Sequence, residues 1–338
     1  LKNKTKIIKT AVSELRQDLI TGDWVVIATG RAKRPEDFKM EKKGIIVSTD
    51  CPFCEPRVSD QEPDTLIYYN KDHEWSLRVF PNKYPAFLKG KKINHREEGL
   101  FFAMDGVGYH EVIVTKDHHK GVPLLLKEEV AEVIDAFKTR YLDLMNRKSV
   151  NYIMFIENHG AEAGASLSHP HWQMFAIPVI SPGVNLELEG ARLYKKSNKA
   201  CVFCNMIEQE LKNGQRIIAE NDSFVALAPF ASRTAFEVWI LPKKHQAYFE
   251  RISIEDEFLV AELLKTILDK YYYKLNDIPY NMYLHTSPCD GRDYGFYHWH
   301  LELLPKTSTW AGFELGTGIE ISTVIPEQAA EFLRQTTN

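Results

Sequence analysis

The run His169-Pro170-His171-Trp172-Gln173 carries two imidazoles and an amide at alternate positions. On an extended strand successive side chains point to opposite faces, so these three share one face and Pro170 and Trp172 share the other. A neutral imidazole whose far nitrogen is fixed by a backbone carbonyl can present its other nitrogen to phosphorus. The resulting phosphoramidate divides one displacement into two. Gln173 can donate a hydrogen bond to a nonbridging oxygen but cannot deliver a proton, which suits a leaving group that needs none, such as a sugar phosphate. His171 is therefore the expected nucleophile and Gln173 its partner. A histidine cluster that merely supports a zinc site is the competing reading of the same run.

Residues suited to phosphate surround it. Asn158, Gly160, Gly164 and Ser166 offer small residues where backbone must approach a ligand, together with donors for its oxygens. Arg31 and Arg34 follow a strand expected over 24–28 and suit bidentate phosphate contacts, although an exposed basic turn has the same composition.

Metal ligands stand nearby in type if not in sequence. Four of the five cysteines form Cys-x-x-Cys pairs, Cys51/Cys54 and Cys201/Cys204, which in an intracellular-looking chain suggests metal or redox chemistry over disulfides. Zinc commonly takes such a pair plus two histidines. The expected sets are Cys51, Cys54, His118 and His169, and Cys201, Cys204, His245 and His298, giving two zinc ions per chain. His119 could replace His118 and His300 could replace His298 on spacing. One all-thiolate site, or two reduced pairs without metal, are the alternatives.

These features recur in order, which makes the chain a duplication. Each half offers a cysteine pair, then an alternating strand running into a histidine, at 111–118 and 237–245. An amphipathic helix follows: Leu126, Val130, Val133, Ile134, Phe137 and Tyr141 mark one stripe. Phe258, Leu259, Leu263, Ile267 and Tyr271 mark the other, behind an N-cap Ser253. A Tyr-x-Met strand comes next, and each half closes on a His-Trp strand ending in proline, at Pro178 and Pro305. Aligned on those prolines, His171 faces His298 and Gln173 faces His300, so the second copy is expected to have turned its nucleophile position into a metal ligand. Strands, one helix and more strands predict an α+β fold of two fused halves, mainly antiparallel sheet with helices packed on it. The Lys-rich stretch 194–200 is the expected seam, dividing the chain into 1–193, which holds His171, and 194–338, which holds the second metal site.

The whole chain has 338 residues, 44% of them hydrophobic, so a large core is available. A net charge of −4 leaves no basic field for a long nucleic acid. With no apolar run of membrane length and a Lys-rich start unlike a signal peptide, a soluble, cytoplasmic protein is expected.

On Arg31-Ala-Lys-Arg34-Pro35, Cys51-x-x-Cys54, Asn82, Asp117-His118, Asn158 with Gly160, Gly164-x-Ser166, His169-Pro170-His171-x-Gln173 and His285, the chain resembles the galactose-1-phosphate uridylyltransferase family of the histidine-triad superfamily. The resemblance implies ping-pong nucleotidyl transfer through His171 and a homodimer. It also implies zinc on Cys51, Cys54, His118 and His169, and nucleotide or substrate contacts from Arg31, Arg34, Asn82, Asn158, Gly160, Ser166, Phe313 and Gly316. UDP-glucose and a hexose 1-phosphate are the implied substrates. The bacterial members close with a Tyr-Glu pair after a Phe-x-x-Gly, whereas Phe313-Glu-Leu-Gly316-Thr-Gly318 resembles the plant ADP-glucose phosphorylase branch, in which phosphate accepts the nucleotide. That branch also implies zinc on Cys201, Cys204, His245 and His298, where the bacterial enzymes hold a second metal with a glutamate and several histidines. A zinc-stabilised nucleotide-binding protein without catalysis is the reading from another class.

Overall fold

The computed structural model describes residues 13–28, 50–90 and 92–335. Fifteen strands are found among them: β1 (Glu14–Gln17), β2 (Trp24–Ile27), β3 (Leu66–Tyr69), β4 (Trp75–Pro81), β5 (His95–Glu98), β6 (Phe101–Met104), β7 (Tyr109–Thr115), β8 (Tyr152–His159), β9 (His171–Ile177), β10 (Ile217–Glu220), β11 (Phe224–Leu227), β12 (Val238–Pro242), β13 (Tyr280–His285), β14 (His300–Pro305) and β15 (Ile321–Ser322). The helices are α1 (Lys127–Leu144), α2 (Pro182–Asn198), α3 (Val202–Asn213), α4 (Ile254–Lys274), α5 (Gly312–Thr317) and α6 (Pro326–Arg334).

Ten strands form one antiparallel sheet in the order β10-β11-β12-β14-β13-β8-β9-β7-β4-β3. Read inward from either edge, the order is the same for five strands in each half, and a helix lies between the third and fourth in both: α1 between β7 and β8, α4 between β12 and β13. The duplication is thus built into the sheet, and its two copies meet where β8 pairs with β13, Tyr280 opposite His159 and Leu284 opposite Phe155.

One face is covered by α1 and α4. Val130, Val133, Ile134, Phe137 and Tyr141 of α1 and Leu264, Ile267, Leu268 and Tyr271 of α4 are buried against Ile153, Phe155, Trp172, Met174 and Leu284 from the strands. Each such side chain is worth about 1.5–3 kcal/mol on burial. Ser253 caps α4 by accepting from the Asp256 amide at 3.0 Å. Two members of the expected stripes fall outside the core: Leu126 caps α1 and is exposed, and Phe258 points to solvent. Arg140 of α1 grips Glu111 of β7 through two hydrogen bonds of 2.8 and 2.9 Å, so a buried charge on the sheet is paired by the helix above it.

Glu157 of β8 lies on this covered face with the Tyr280 hydroxyl donating to it at 3.1 Å. Burial pushes its carboxyl up to about 7, against the pull of His159. A carboxyl raised in the folded state weighs nothing on stability at low pH, and its cost grows as pH climbs from the unfolded value through about 7. Glu157→Gln is expected to match the parent in urea unfolding near pH 4.5 and to exceed it near pH 8.5 by up to about 3 kcal/mol. A difference that does not vary with pH would contradict the assignment.

The opposite face carries His171. Over the second half it is covered by α2 and α3, whose Val184, Leu188, Ala191, Val202, Phe203 and Ile207 pack on Val225, Leu227, Trp239 and Leu241. The expected seam at 194–200 is the end of α2, with Ser181 as N-cap and Lys199 in the left-handed conformation as C-cap. Over the first half, Phe53 and Val58 from the loop after Cys51 pack on Phe80, Val112 and Val114.

Candidate active site and metal centres

Strand alternation decides what each face receives. Trp172, Met174 and Ala176 enter the helix-covered core, which sends His171 and Gln173 to the opposite face. Register does the rest, because Val114 pairs with His171 and Val112 with Gln173. His171 Nδ1 lies 2.8 Å from the His169 carbonyl oxygen. A carbonyl only accepts, so Nδ1 carries the proton and Nε2 keeps the lone pair. Burial lowers the imidazole's pKa, partly offset by that bond, which favours the neutral nucleophilic form. The ring of Phe53 packs edge-on at 5.4 Å.

The carbonyl that fixes His171 belongs to a residue that is itself gripped. His169 Nδ1 lies 3.6 Å from Cys51 Sγ and 3.5 Å from Cys54 Sγ, and Cys54 Sγ lies 3.2 Å from His118 Nδ1. A tetrahedral ion with bonds of about 2.3 Å to sulfur and 2.0 Å to nitrogen separates neighbouring ligand atoms by about 3.5 Å, so the group could hold one. The outer nitrogens are spoken for: His169 Nε2 donates to Thr115 O at 2.8 Å, and His118 Nε2 lies 3.2 Å from Ser168 Oγ. Burial and the neighbouring Cys51 push the Cys54 thiol up to about 11. A bound dication is what would keep it a thiolate at neutral pH.

The second half repeats the arrangement. Cys204 Sγ lies 3.5 Å from His245 Nδ1 and 3.6 Å from His298 Nδ1, with Cys201 Sγ 3.9 Å from the latter. His298 Nε2 donates to Pro242 O at 2.9 Å, at the end of β12, as His169 does to Thr115 at the end of β7. His298, and not His300, joins this group.

This corrects the alignment made on the closing prolines. By hydrogen bonding His298 is the counterpart of His169, which makes His300 the counterpart of His171. His300 Nδ1 indeed lies 3.1 Å from His298 O. The second copy kept its histidine and closed it off. Glu302 stands where Gln173 does and lies 3.1 Å from His300 Nε2, while Glu187 of α2 bonds His285 Nδ1 at 2.9 Å. Arg233 donates to Glu302 and Tyr297 to Glu187. Burial would raise Glu302, but Arg233 and the two histidines outweigh it and hold the carboxyl low. Glu187, His285, His300 and Glu302 are close enough to grip an ion. Two of their contacts are to one another, and the Arg233 guanidinium adds a positive charge beside Glu302. Of these residues, Glu187, Arg233 and Glu302 went unnoticed in the sequence. Only the alternation His298, His300, Glu302 signalled any of them.

The residues expected at the nucleotide fall into three groups. Asn158, next after the Glu157–Trp172 pair, is level with the start of β9 at His171, whereas Asn82 follows β4 beside His110, its N–H on the His110 carbonyl at 2.8 Å, level with Phe175 further along β9. Asn158 Oδ1 accepts from Asn281 at 2.7 Å, so its amide hydrogens are left for a ligand. Gly160 has φ of +81°, and a Cβ there would sit 2.8 Å from Pro279 Cβ, so backbone geometry alone demands glycine. Ser166 is exposed on the loop into His169. Phe313 and Gly316 are exposed on α5, whose capping Gly318 lines a pocket over Glu187, Arg233 and Glu302 in the second half. Arg31 and Arg34 lie outside the described residues.

The described residues thus form a doubled antiparallel sheet with an imidazole of fixed tautomer beside a Cys2His2 group, the arrangement of a transferase in two fused halves. Its N-terminal residues 3–181 match the model of the galactose-1-phosphate uridyl transferase N-terminal domain, and residues 187–338 match that of the C-terminal domain. The chain belongs to this family of nucleotidyltransferases. It is 35% identical to an ADP-glucose phosphorylase of Arabidopsis thaliana over 332 residues, covering 95% of this chain and 92% of the relative. It is 32% identical to a galactose-1-phosphate uridylyltransferase of Thermotoga maritima over 334 residues, covering 96% and 98%. The crystal structure of an Arabidopsis thaliana ADP-glucose phosphorylase with bound ADP-glucose superposes with a TM-score of 0.82 at 34% identity, covering 97% of this chain and all of the other. No helix among the described residues is long and apolar enough to cross a membrane.

Proposed function

We propose that the protein transfers a nucleotidyl group between UDP-glucose and a hexose 1-phosphate through a covalent intermediate on His171. The observation that carries this is the 2.8 Å bond from His171 Nδ1 to the His169 carbonyl, which leaves the lone pair on Nε2. In the first step Nε2 bonds to the α-phosphorus and the bond to glucose 1-phosphate breaks. That phosphate leaves as an anion and requires no proton, consistent with an amide at Gln173 and not an acid. In the second step the incoming sugar phosphate displaces the imidazole, and the P–N bond breaks. Asn82, Asn158 and Ser166, together with Arg31 and Arg34, are read as nucleotide contacts. Gly160 shapes the loop beside them, and Phe313 and Gly316 are read as substrate contacts.

Two zinc ions complete the reading, one held by Cys51, Cys54, His118 and His169 and one by Cys201, Cys204, His245 and His298. Zinc there supplies rigidity, fixing the residue whose carbonyl orients His171. The halves are taken as 1–193 and 194–338, and the chain as a cytoplasmic homodimer, on the repeat and the family resemblance.

A second reading keeps the histidine and changes base and acceptor: adenylyl transfer from ADP-glucose to phosphate. The Cys201–His298 group and the similarity to the plant phosphorylase favour it. Incubation with UDP-glucose or ADP-glucose, each labelled in the α-phosphate and with no acceptor, separates the two. Only the true donor leaves acid-labile label on the protein. Label from ADP-glucose alone would replace the first reading with the second, and label from neither would remove both.

A further inference from the structure

His110 sits on β7 beside Gln173 and has no part in the proposed chemistry so far. With Val112 and Val114 it alternates onto the face that carries His171 and Gln173, and it is buried, its ring stacked 4.1 Å from that of Phe175. Its two nitrogens have different neighbours. The Ala86 backbone N–H donates to Nδ1 at 3.2 Å, so Nδ1 must carry a lone pair. The proton of the neutral ring is then on Nε2, which lies 2.9 Å from Gln173 Oε1. Burial favours that neutral form.

We propose that His110 is a positioning residue that orients the Gln173 amide, holding its oxygen inward so that its NH2 faces the nucleotide phosphate. The reversed amide would set N–H against N–H and turn an acceptor toward an anion. The same proton affects Asn82, whose amide nitrogen is 3.2 Å from His110 Nε2 and whose oxygen is taken by the Tyr84 N–H at 2.8 Å. Asn82 cannot donate into a protonated ring nitrogen, so its hydrogens too remain for a ligand. The Ala86 N–H thereby sets the polarity of the Gln173 amide, while the Tyr84 N–H sets that of Asn82.

The inference rests on reading Gln173 as the phosphate partner, and the test separates the two. The rate of nucleotidyl-enzyme formation is measured for Gln173→Ala, for His110→Phe, His110→Asn and His110→Gln, and for Gln173→Ala combined with His110→Phe. Loss of the Gln173 donor is expected to slow the step about 10²–10³-fold. His110→Phe should slow it roughly 10–100-fold with donor KM little changed, as loss of outer partners does elsewhere. Asparagine can accept from Ala86 but cannot reach Gln173, so His110→Asn should be as slow as phenylalanine while keeping the fold. Glutamine places an N–H near the Nε2 position and should recover most of the rate. The double variant should be no slower than Gln173→Ala alone. Multiplying effects, or asparagine outperforming glutamine, would overturn the role of His110. A Gln173→Ala protein with undiminished rate would overturn the reading of Gln173 and this inference with it.

Discussion

Replacement of His171 by asparagine is expected to abolish covalent labelling and to lower transfer by at least about 10⁴-fold, roughly 5 kcal/mol of barrier, while the protein stays folded. The asymmetry follows from what each nitrogen does. Asparagine can still donate to the His169 carbonyl, so the local hydrogen bonding that spaces the strand ends survives. No atom with a basic lone pair then faces phosphorus, and a two-step route through a phosphoramidate has no first step. Residual transfer would have to be a direct attack of one sugar phosphate on the nucleotide, in which two anions meet without a covalent relay. Donor binding should change little, since the imidazole is one contact among several on the phosphate. The check is label bound per chain together with turnover. A labelled His171→Asn protein would move the nucleophile elsewhere, and His300 would be the first place to look because its Nδ1 is held in the same way.

His300 is nevertheless expected to stay unlabelled in the parent protein. Its Nε2 faces the Glu302 carboxylate where that of His171 has the Gln173 amide nearby, and α2 covers it, with Glu187 reaching the same cluster. An anion in the place of a donor repels a phosphate, and Arg233 is already committed to that anion and to Glu237. On the proposed reading, one open and one closed copy of the same histidine leave a duplicated chain with a single chemical site.

Signals confined to a few neighbouring residues were legible in the sequence. The period of two placed His169, His171 and Gln173 on one face, the cysteine pairs announced the two Cys2His2 groups, and the repeat gave two halves joined in an antiparallel sheet. What escaped depends on contacts between distant segments. That α2 runs through the stretch expected as a seam was not legible, because its exposed positions are lysines and its buried Val184, Glu187, Leu188 and Ala191 mean little until the second-half sheet lies beneath them. The proline alignment slipped by two residues because a proline marks only where a strand leaves the sheet. β14 ends at Pro305, five residues after His300, whereas the chain after His171 runs seven residues to Pro178. His110 was findable, since alternation along 109–115 puts it on the His171 face. Its role depended on Ala86, which nothing in the sequence connects to it.

Cys51→Ala and Cys201→Ala should each remove one of two zinc ions per chain, with different consequences. Both cysteines are buried and sit against histidines whose outer nitrogens are bonded to backbone carbonyls, so each group pins two or three separate segments at one point. Losing a structural ion from such a knot costs several kcal/mol, and in a chain of this size melting should fall by about 10 °C or more. The first group holds His169, whose carbonyl sets the His171 tautomer, so Cys51→Ala should also lose covalent labelling well below its melting temperature. The second group lies at the opposite end of the strands, three strands across and about six residues along, roughly 25 Å from His171 by ordinary strand spacing and rise. Cys201→Ala should therefore label normally in the cold while melting early. Metal analysis, melting and labelling at 10 °C are sufficient to read this out. Equal loss of labelling in both variants would mean that the two halves do not hold their ends of the sheet independently, and a single ion in the parent would discard the two-site assignment.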